Sequence, residues 1–126
     1  MIDRTIAPEI KNISHINTGY PISETNIFRV DSEEEVFKLE IVFPKGGYSL
    51  LDNKYSGIYA MDLLFSGTQE KNAQKIADEI DILGGYIFKG CDYYTSSITI
   101  FGISENIKSL IKIAKYCLEN CVYPLD

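Results

Sequence analysis

Apolar and polar residues alternate most clearly over residues 36–43. Every second position of this stretch from Phe37 onward is apolar, and Lys38 and Glu40 lie between those positions. A period of two is typical of a strand with one face buried, so the pattern predicts a half-buried strand over 36–43. Pro44 ends it, because proline lacks the backbone N–H that a sheet ladder needs, and a glycine-rich turn follows.

Three later stretches carry apolar residues at spacings of three and four, which predicts amphipathic helices over 54–65, 71–83 and 105–120. The pair Gly84–Gly85 ends the second helix, as expected where the chain turns left-handed. Ser104 is a candidate N-cap of the third, because its hydroxyl can accept a hydrogen bond from a free backbone N–H. The apolar stripe of the first helix consists of Ile58, Met61, Leu64 and Phe65. That of the second consists of Ala73, Ile76, Ala77, Ile80 and Leu83. That of the third consists of Ile107, Leu110, Ile111, Ala114, Cys117, Leu118 and Cys121.

Further strands are predicted over 26–30, 86–90 and 93–103, the last two joined by a short turn at Cys91–Asp92. The three glutamates Glu33 to Glu35 are interpreted as a solvated hairpin turn between the first strand and the one that starts at Val36. Residues 1–25 show no clear period and predict an extended lead-in segment. The predicted domain therefore spans 26–126.

The resulting order, β-β-α-α-β-β-α, predicts an α+β fold with two layers: an antiparallel-rich sheet with helices packed on one face. A length of 126 residues suits one compact domain. Because the sequence stops directly after the third helix, we expect a fragment of a longer protein. Such a fragment exposes a sheet edge or a helix face, so we also expect self-association into dimers or larger species.

The composition and the net charge exclude several classes of function. A net charge of −6 argues against a nucleic-acid partner, since such modules carry a basic face. No apolar run approaches the ~18 residues of a membrane span. The first residues carry no signal-peptide pattern, which favours a cytoplasmic location and leaves a periplasmic one open if a signal was removed.

The three cysteines are interpreted as buried thiols, because Cys117 and Cys121 with distant Cys91 and His15 make a poor zinc set.

Residues 57–68 resemble the first helix of the insulinase- or pitrilysin-type (mitochondrial-processing-peptidase-like) zinc metallopeptidases. That helix carries His-x-x-Glu-His, then an apolar triplet and Gly-Thr; here the triplet is 63–65 and Gly67–Thr68 follows. The resemblance extends over 26–126 through four further segments in the same order. They are the strand over 36–43, the turn Ile82–Gly85, the returning strand from Asp92, and the close at Tyr123–Pro124.

The family's catalytic positions do not match. Counting back from Gly67–Thr68, the first histidine falls on Ile58, the general base on Met61 and the second histidine on Asp62. Of these three residues only Asp62 offers a donor atom for zinc, and one carboxylate does not hold the ion. We therefore predict no catalytic residue, metal ligand or cofactor in this chain, although active family members use zinc. The family's remaining glutamate ligand would lie beyond Asp126, and Asp62 is either a remnant facing a peptide chamber or an ordinary solvated carboxylate.

The resemblance implies a non-catalytic scaffold or partner subunit that pairs with an active peptidase subunit and helps to enclose and bind peptides. One alternative is a segment of an active metalloendopeptidase complex whose zinc site lies on another subunit or domain. Another is a small α+β interaction module. Tyr59, Tyr93 and Tyr94 are candidate peptide contacts, because tyrosine joins apolar area to a polar tip. The strand over 93–103 is expected to offer a free edge to a peptide strand.

Overall fold

The computed structural model describes residues 16–18, 27–30 and 33–123, which form two units, one up to Glu33 and one from Glu34. Residues 1–15, 19–26, 31–32 and 124–126 lie outside the described residues. That range includes His15, most of the predicted lead-in and the Pro124 of the family resemblance. In the first unit, β1 (Ile16–Thr18) pairs with β2 (Phe28–Val30) in an antiparallel ladder.

The predicted hairpin around the glutamate run is wrong. The short strand before it, β2, pairs with β1, and the strand after it, β3 (Val36–Phe43), pairs with β5 (Ser96–Ile103). Glu33, Glu34 and Glu35 are exposed, as expected for a solvated run. A turn pattern between two apolar stretches indicates that the chain bends, but it does not determine which strands pair.

The second unit is built on a three-stranded sheet in the order β3-β5-β4, where β4 spans Tyr86–Cys91. Both pairings are antiparallel, and Ile100 of the central strand lies opposite Leu39 on one side and Ile87 on the other. Residues directly opposite each other in a sheet share a face, so these three side chains point toward the same layer.

Three α-helices accompany this sheet: α1 (Lys54–Leu63), α2 (Ala73–Ile82) and α3 (Ile107–Asn120). Asparagine side chains cap the first two, because Asn53 accepts from the Tyr55 N–H and Asn72 from the Lys75 N–H. Gly84 follows α2 with φ +62°, the left-handed conformation that glycine adopts without steric cost. No helix in the described part of the chain is long and apolar enough to cross a membrane.

The predicted cap at Ser104 is wrong. Ser104 begins a 3₁₀ turn, Ser104–Asn106, that leads into α3, and its backbone N–H donates to the Glu35 carbonyl at 2.8 Å. The Asn106 side chain donates to the Leu83 carbonyl instead of capping α3. The start of α3 is therefore held by contacts with distant segments, which local sequence patterns do not reveal.

All three helices lie on the sheet face that carries Ile98 and Ile100, both fully buried. This arrangement confirms the predicted α+β fold with helices on one face of an antiparallel sheet. On the opposite face, Val36, Phe88 and Phe101 are each at least 40% exposed. The core consists of Leu64, Ile76, Ile80, Ile98, Ile100, Leu110, Ala114 and Cys117.

The prediction of buried thiols holds fully for one cysteine. Cys117 has no exposed surface, whereas Cys91 and Cys121 are half-buried, and all three are free thiols. Burial raises the pKa of the Cys117 thiol, because a thiolate is poorly solvated in an apolar core. Cys117 is therefore a packing residue of α3.

A salt bridge between Lys71 and Glu79 predicts a loss of stability in alkali. The two charged groups lie 2.6 Å apart, and the Glu79 carboxylate raises the pKa of Lys71 above its ordinary 10.5. The folded state thus holds this proton more tightly than the unfolded chain does. The stabilisation is complete below pH 10.5 and is lost as the pH rises through the folded-state pKa.

The measurement is the urea-unfolding free energy of the chain and of a Glu79→Gln variant at about pH 9 and about pH 11.5. We expect the variant to be less stable at the lower pH and the difference to shrink at the higher one. A difference that stays constant would show that the charge on Lys71 contributes nothing.

Candidate functional site

Helix α1, which carries the three positions of the degenerate motif, packs closely against the end of β4. A side chain at Gly57 would place its Cβ 2.9 Å from a Leu51 methyl and 3.2 Å from the Cys91 sulfur. Glycine at this position therefore lets the helix backbone approach β4 and the segment before α1. The close approach brings the motif positions next to the strand that follows α2.

The motif residues are placed as expected on α1, but their chemistry does not suit a metal. Ile58 and Met61 are half-buried, Met61 packs against the core, and Asp62 is exposed. Only Asp62 offers an oxygen donor, and zinc sites use three or four nitrogen, sulfur or oxygen ligands. Within residues 33–123, no group of three or more His, Cys, Asp or Glu side chains lies close enough to hold a metal ion. Zinc does not fit this helix.

A lysine from β4 lies beside the motif instead. The Lys89 ammonium donates to the backbone carbonyl of Asp62 at 2.9 Å and lies 5.8 Å from the centre of the Phe65 ring. Because α1 ends at Leu63, the Asp62 carbonyl has no partner within the helix. A cation at the C-terminal end of a helix also interacts favourably with the helix dipole. Sequence reasoning missed Lys89, although a charge at the core-facing position after Ile87 was a visible signal.

Replacing Lys89 by methionine is expected to lower the free energy of unfolding by about 1 kcal/mol. Methionine keeps most of the apolar stem but loses the charge and the hydrogen bond to the end of α1. Urea unfolding measures the effect, and Lys108→Met at an exposed position of α3 is the control. Equal losses in the two variants would mean that Lys89 does not stabilise α1.

The free edge of the sheet is not where it was predicted. The strand over 93–103 begins only at Ser96, and as β5 it lies in the centre of the sheet, paired on both sides. The edges are β3 and β4. No strand among the described residues pairs with the outer side of β4, so alternate N–H and C=O groups point away from the sheet there. β4, the edge strand next to the motif helix, can therefore accept another strand, as can the outer side of β3.

The three candidate tyrosines fall into two groups. Tyr93 and Tyr94 lie in the turn between β4 and β5, which the Asp92 N–H closes on the Thr95 carbonyl at 2.7 Å. The Tyr93 ring contacts the rings of Tyr94 and Tyr48 edge-on, with centroids 4.7 and 5.6 Å apart. Tyr59 lies on α1, 6.4 Å from the ring of Tyr55. All three candidates are more than half exposed and available for contacts, but they are not brought together into one group of rings.

Comparison with known proteins supports the fold. No protein-family model matches the chain, and no curated protein sequence matches it. Among solved structures, the chain is similar to a peptidase M16 inactive domain from Pseudomonas fluorescens, with a TM-score of 0.77 and 18% identity. The similarity covers 88% of this chain and 28% of the matched chain, so this chain spans less than a third of that protein. The chain therefore has the fold of part of an M16, or insulinase-like, peptidase domain.

Proposed function

We propose that this chain is a non-catalytic peptidase-like domain that binds an extended peptide along β4 and helps a partner subunit to enclose it. The observation that carries the proposal is the composition of α1. In a fold shared with an M16 inactive domain, the helix beside the edge strand β4 presents Ile58, Met61 and Asp62. Their single carboxylate does not hold zinc, and Met61, at the position of the family's general base, cannot take a proton from water.

The geometry around β4 supports binding of a peptide without cleavage of its backbone. An unpaired strand edge binds a peptide through main-chain hydrogen bonds, and neighbouring pockets then select its side chains. The end of α1 lies above this edge, where Lys89 fixes it by the bond to Asp62. A peptide bound along β4 would therefore lie under the motif helix, where no metal site among the described residues could activate water for attack on its carbonyl.

The partner subunit is the second part of the proposal. The solved structure to which this chain is similar is an inactive peptidase domain, and a domain without catalytic groups needs a second, active subunit for a bound peptide to be cleaved. The partner we propose is an active peptidase subunit, with a second copy of this chain as the other candidate. Co-purification of the tagged chain with a zinc-containing peptidase subunit from the same cells would support the first.

The test compares the chain with an Ile58→His, Met61→Glu, Asp62→His variant that restores the two histidines one helical turn apart. We expect the chain to contain no stoichiometric zinc and to leave extended peptides intact, and the variant to bind zinc measurably. The variant lacks a complete ligand set, so cleavage is not expected from it. Chelator-sensitive cleavage that follows the unaltered chain through successive purification steps would overturn the proposal.

A further inference from the structure

A pocket of about 220 Å³ lies between α2 and the core-facing side of β4. The residues that shape it are Phe65, Ile76, Ala77, Ile80, Ile87 and Lys89. Its lining is mostly apolar, with Asp81 and Lys89 contributing charged groups. This volume is below the roughly 300–1,000 Å³ of most small-molecule sites and suits one or two side chains.

We propose, resting on the proposed function above, that this pocket selects peptides with a bulky apolar residue and an acidic residue two positions apart. A strand added to β4 would lie about 4.8 Å beyond it and continue the sheet under α2. Its alternate side chains would point to the same face as Ile87 and Lys89, which themselves lie two positions apart on β4. The residue opposite Ile87 would enter the apolar pocket.

The charge of Lys89 determines which peptide residue is preferred at the position opposite it. Lys89 donates to a backbone carbonyl and contacts an aromatic ring, and no carboxylate lies within salt-bridge distance of it among the described residues. A carboxylate opposite Lys89 would therefore form a cross-strand ion pair at the end of the pocket. A basic residue at that position would be repelled by the ammonium.

The same lysine argues for a peptide over a second copy of this chain. Pairing two β4 strands would bring a second Lys89, and no carboxylate, to the core-facing side of the edge, because the core-facing positions 87, 89 and 91 are Ile, Lys and Cys. An inward-pointing charge on an edge strand disfavours such pairing of like edges. A peptide with one acidic residue, in contrast, can place a carboxylate within salt-bridge distance of the Lys89 ammonium.

The experiment measures binding of fluorescent eight-residue peptides to the whole 126-residue chain by anisotropy. The peptides share a serine and threonine background and carry Leu and Glu, Ala and Glu, or Leu and Lys at two positions separated by one residue, each in both orders. We expect the Leu and Glu peptide to bind best. Replacing Leu by Ala should weaken binding at least about tenfold, and replacing Glu by Lys several-fold.

Three variants test whether the pocket and Lys89 determine which peptide binds. Ala77→Leu fills the pocket from an exposed helix position, and it should weaken the Leu and Glu peptide at least about tenfold. Ser109→Leu, at an exposed position of α3 outside the pocket, should leave binding unchanged. Lys89→Met should remove the preference for Glu over Lys and keep the preference for Leu over Ala.

Each outcome bears on the inference. If all six peptides bind equally and Ala77→Leu changes nothing, the pocket does not select the peptide, while peptide binding as the proposed function stands. If no peptide binds at all, the proposed function fails and the inference falls with it. Loss of binding with Ser109→Leu would place the bound peptide elsewhere and contradict the pocket.

Discussion

Gly47→Ala is expected to lower the free energy of unfolding by about 3 kcal/mol or more, or to prevent folding. A Cβ at this position would lie 2.2 Å from the carbonyl carbon of Tyr94 and 2.4 Å from the Tyr93 oxygen. Both are backbone atoms, which cannot rotate away as a side chain would. The Gly47 N–H also donates to the Tyr94 carbonyl at 3.2 Å, so moving the two segments apart breaks their hydrogen bonds.

Urea unfolding followed by circular dichroism measures this effect, with Gly90→Ala as the matched control. A Cβ at Gly90 would meet Ser97 Oγ at 3.6 Å and Phe88 Cε1 at 3.7 Å, which is ordinary van der Waals contact. The control should retain its stability within about 0.5–1 kcal/mol. If Gly47→Ala were as stable as Gly90→Ala, the attachment of the β4–β5 turn to the segment after β3 would not be as described.

Leu110→Ala is expected to lower the free energy of unfolding by about 3–5 kcal/mol. Leu110 has no exposed surface, and its methyl groups fill the space above two glycines. A Cβ at Gly85 would lie 2.4 Å from one of these methyls, and one at Gly102 would lie 2.5 Å from the other. The leucine therefore packs directly on the backbone of the sheet and of the turn after α2, and its truncation leaves a cavity at the centre of the core.

The neighbouring residue on α3 provides the control for this prediction. Ile111 is 40% exposed, so Ile111→Ala should cost no more than about 1–2 kcal/mol. Both variants are compared by the midpoint and slope of urea unfolding. Similar losses for the two variants would mean that α3 does not pack on the sheet through the side that carries Leu110.

The sequence allowed the main elements to be predicted because their patterns are local. The strand over 36–43 has the predicted bounds, and α3 buries Leu110, Ala114 and Cys117 of its predicted stripe. The partner of β2 was missed because strand pairing depends on distant segments. The start of β5 was placed too early, since Tyr93 favours a strand by its residue type but lies in a turn closed by backbone hydrogen bonds.

The candidate site was predictable only in part. The helix that carries Ile58, Met61 and Asp62 was predicted from its apolar stripe, and the structure places all three residues on α1. Their interpretation as the family's catalytic positions comes from the resemblance alone. The role of Lys89 and the free edge of β4 depend on the sheet order, which places β5 in the centre. No local pattern distinguishes a central strand from an edge strand when both are short and apolar. The proposed binding of a peptide along β4 therefore depends on the topology, whereas the proposed lack of catalysis depends on the motif residues of α1.

The most direct test of the account is hydrogen exchange of the chain with and without a saturating extended peptide, combined with mass spectrometry of that peptide. We predict slower exchange of amides within β4 (Tyr86–Cys91), unchanged exchange within β3, and a peptide recovered intact. Unchanged exchange in β4, or a peptide cleaved in a chelator-sensitive reaction that copurifies with the chain, would contradict the account.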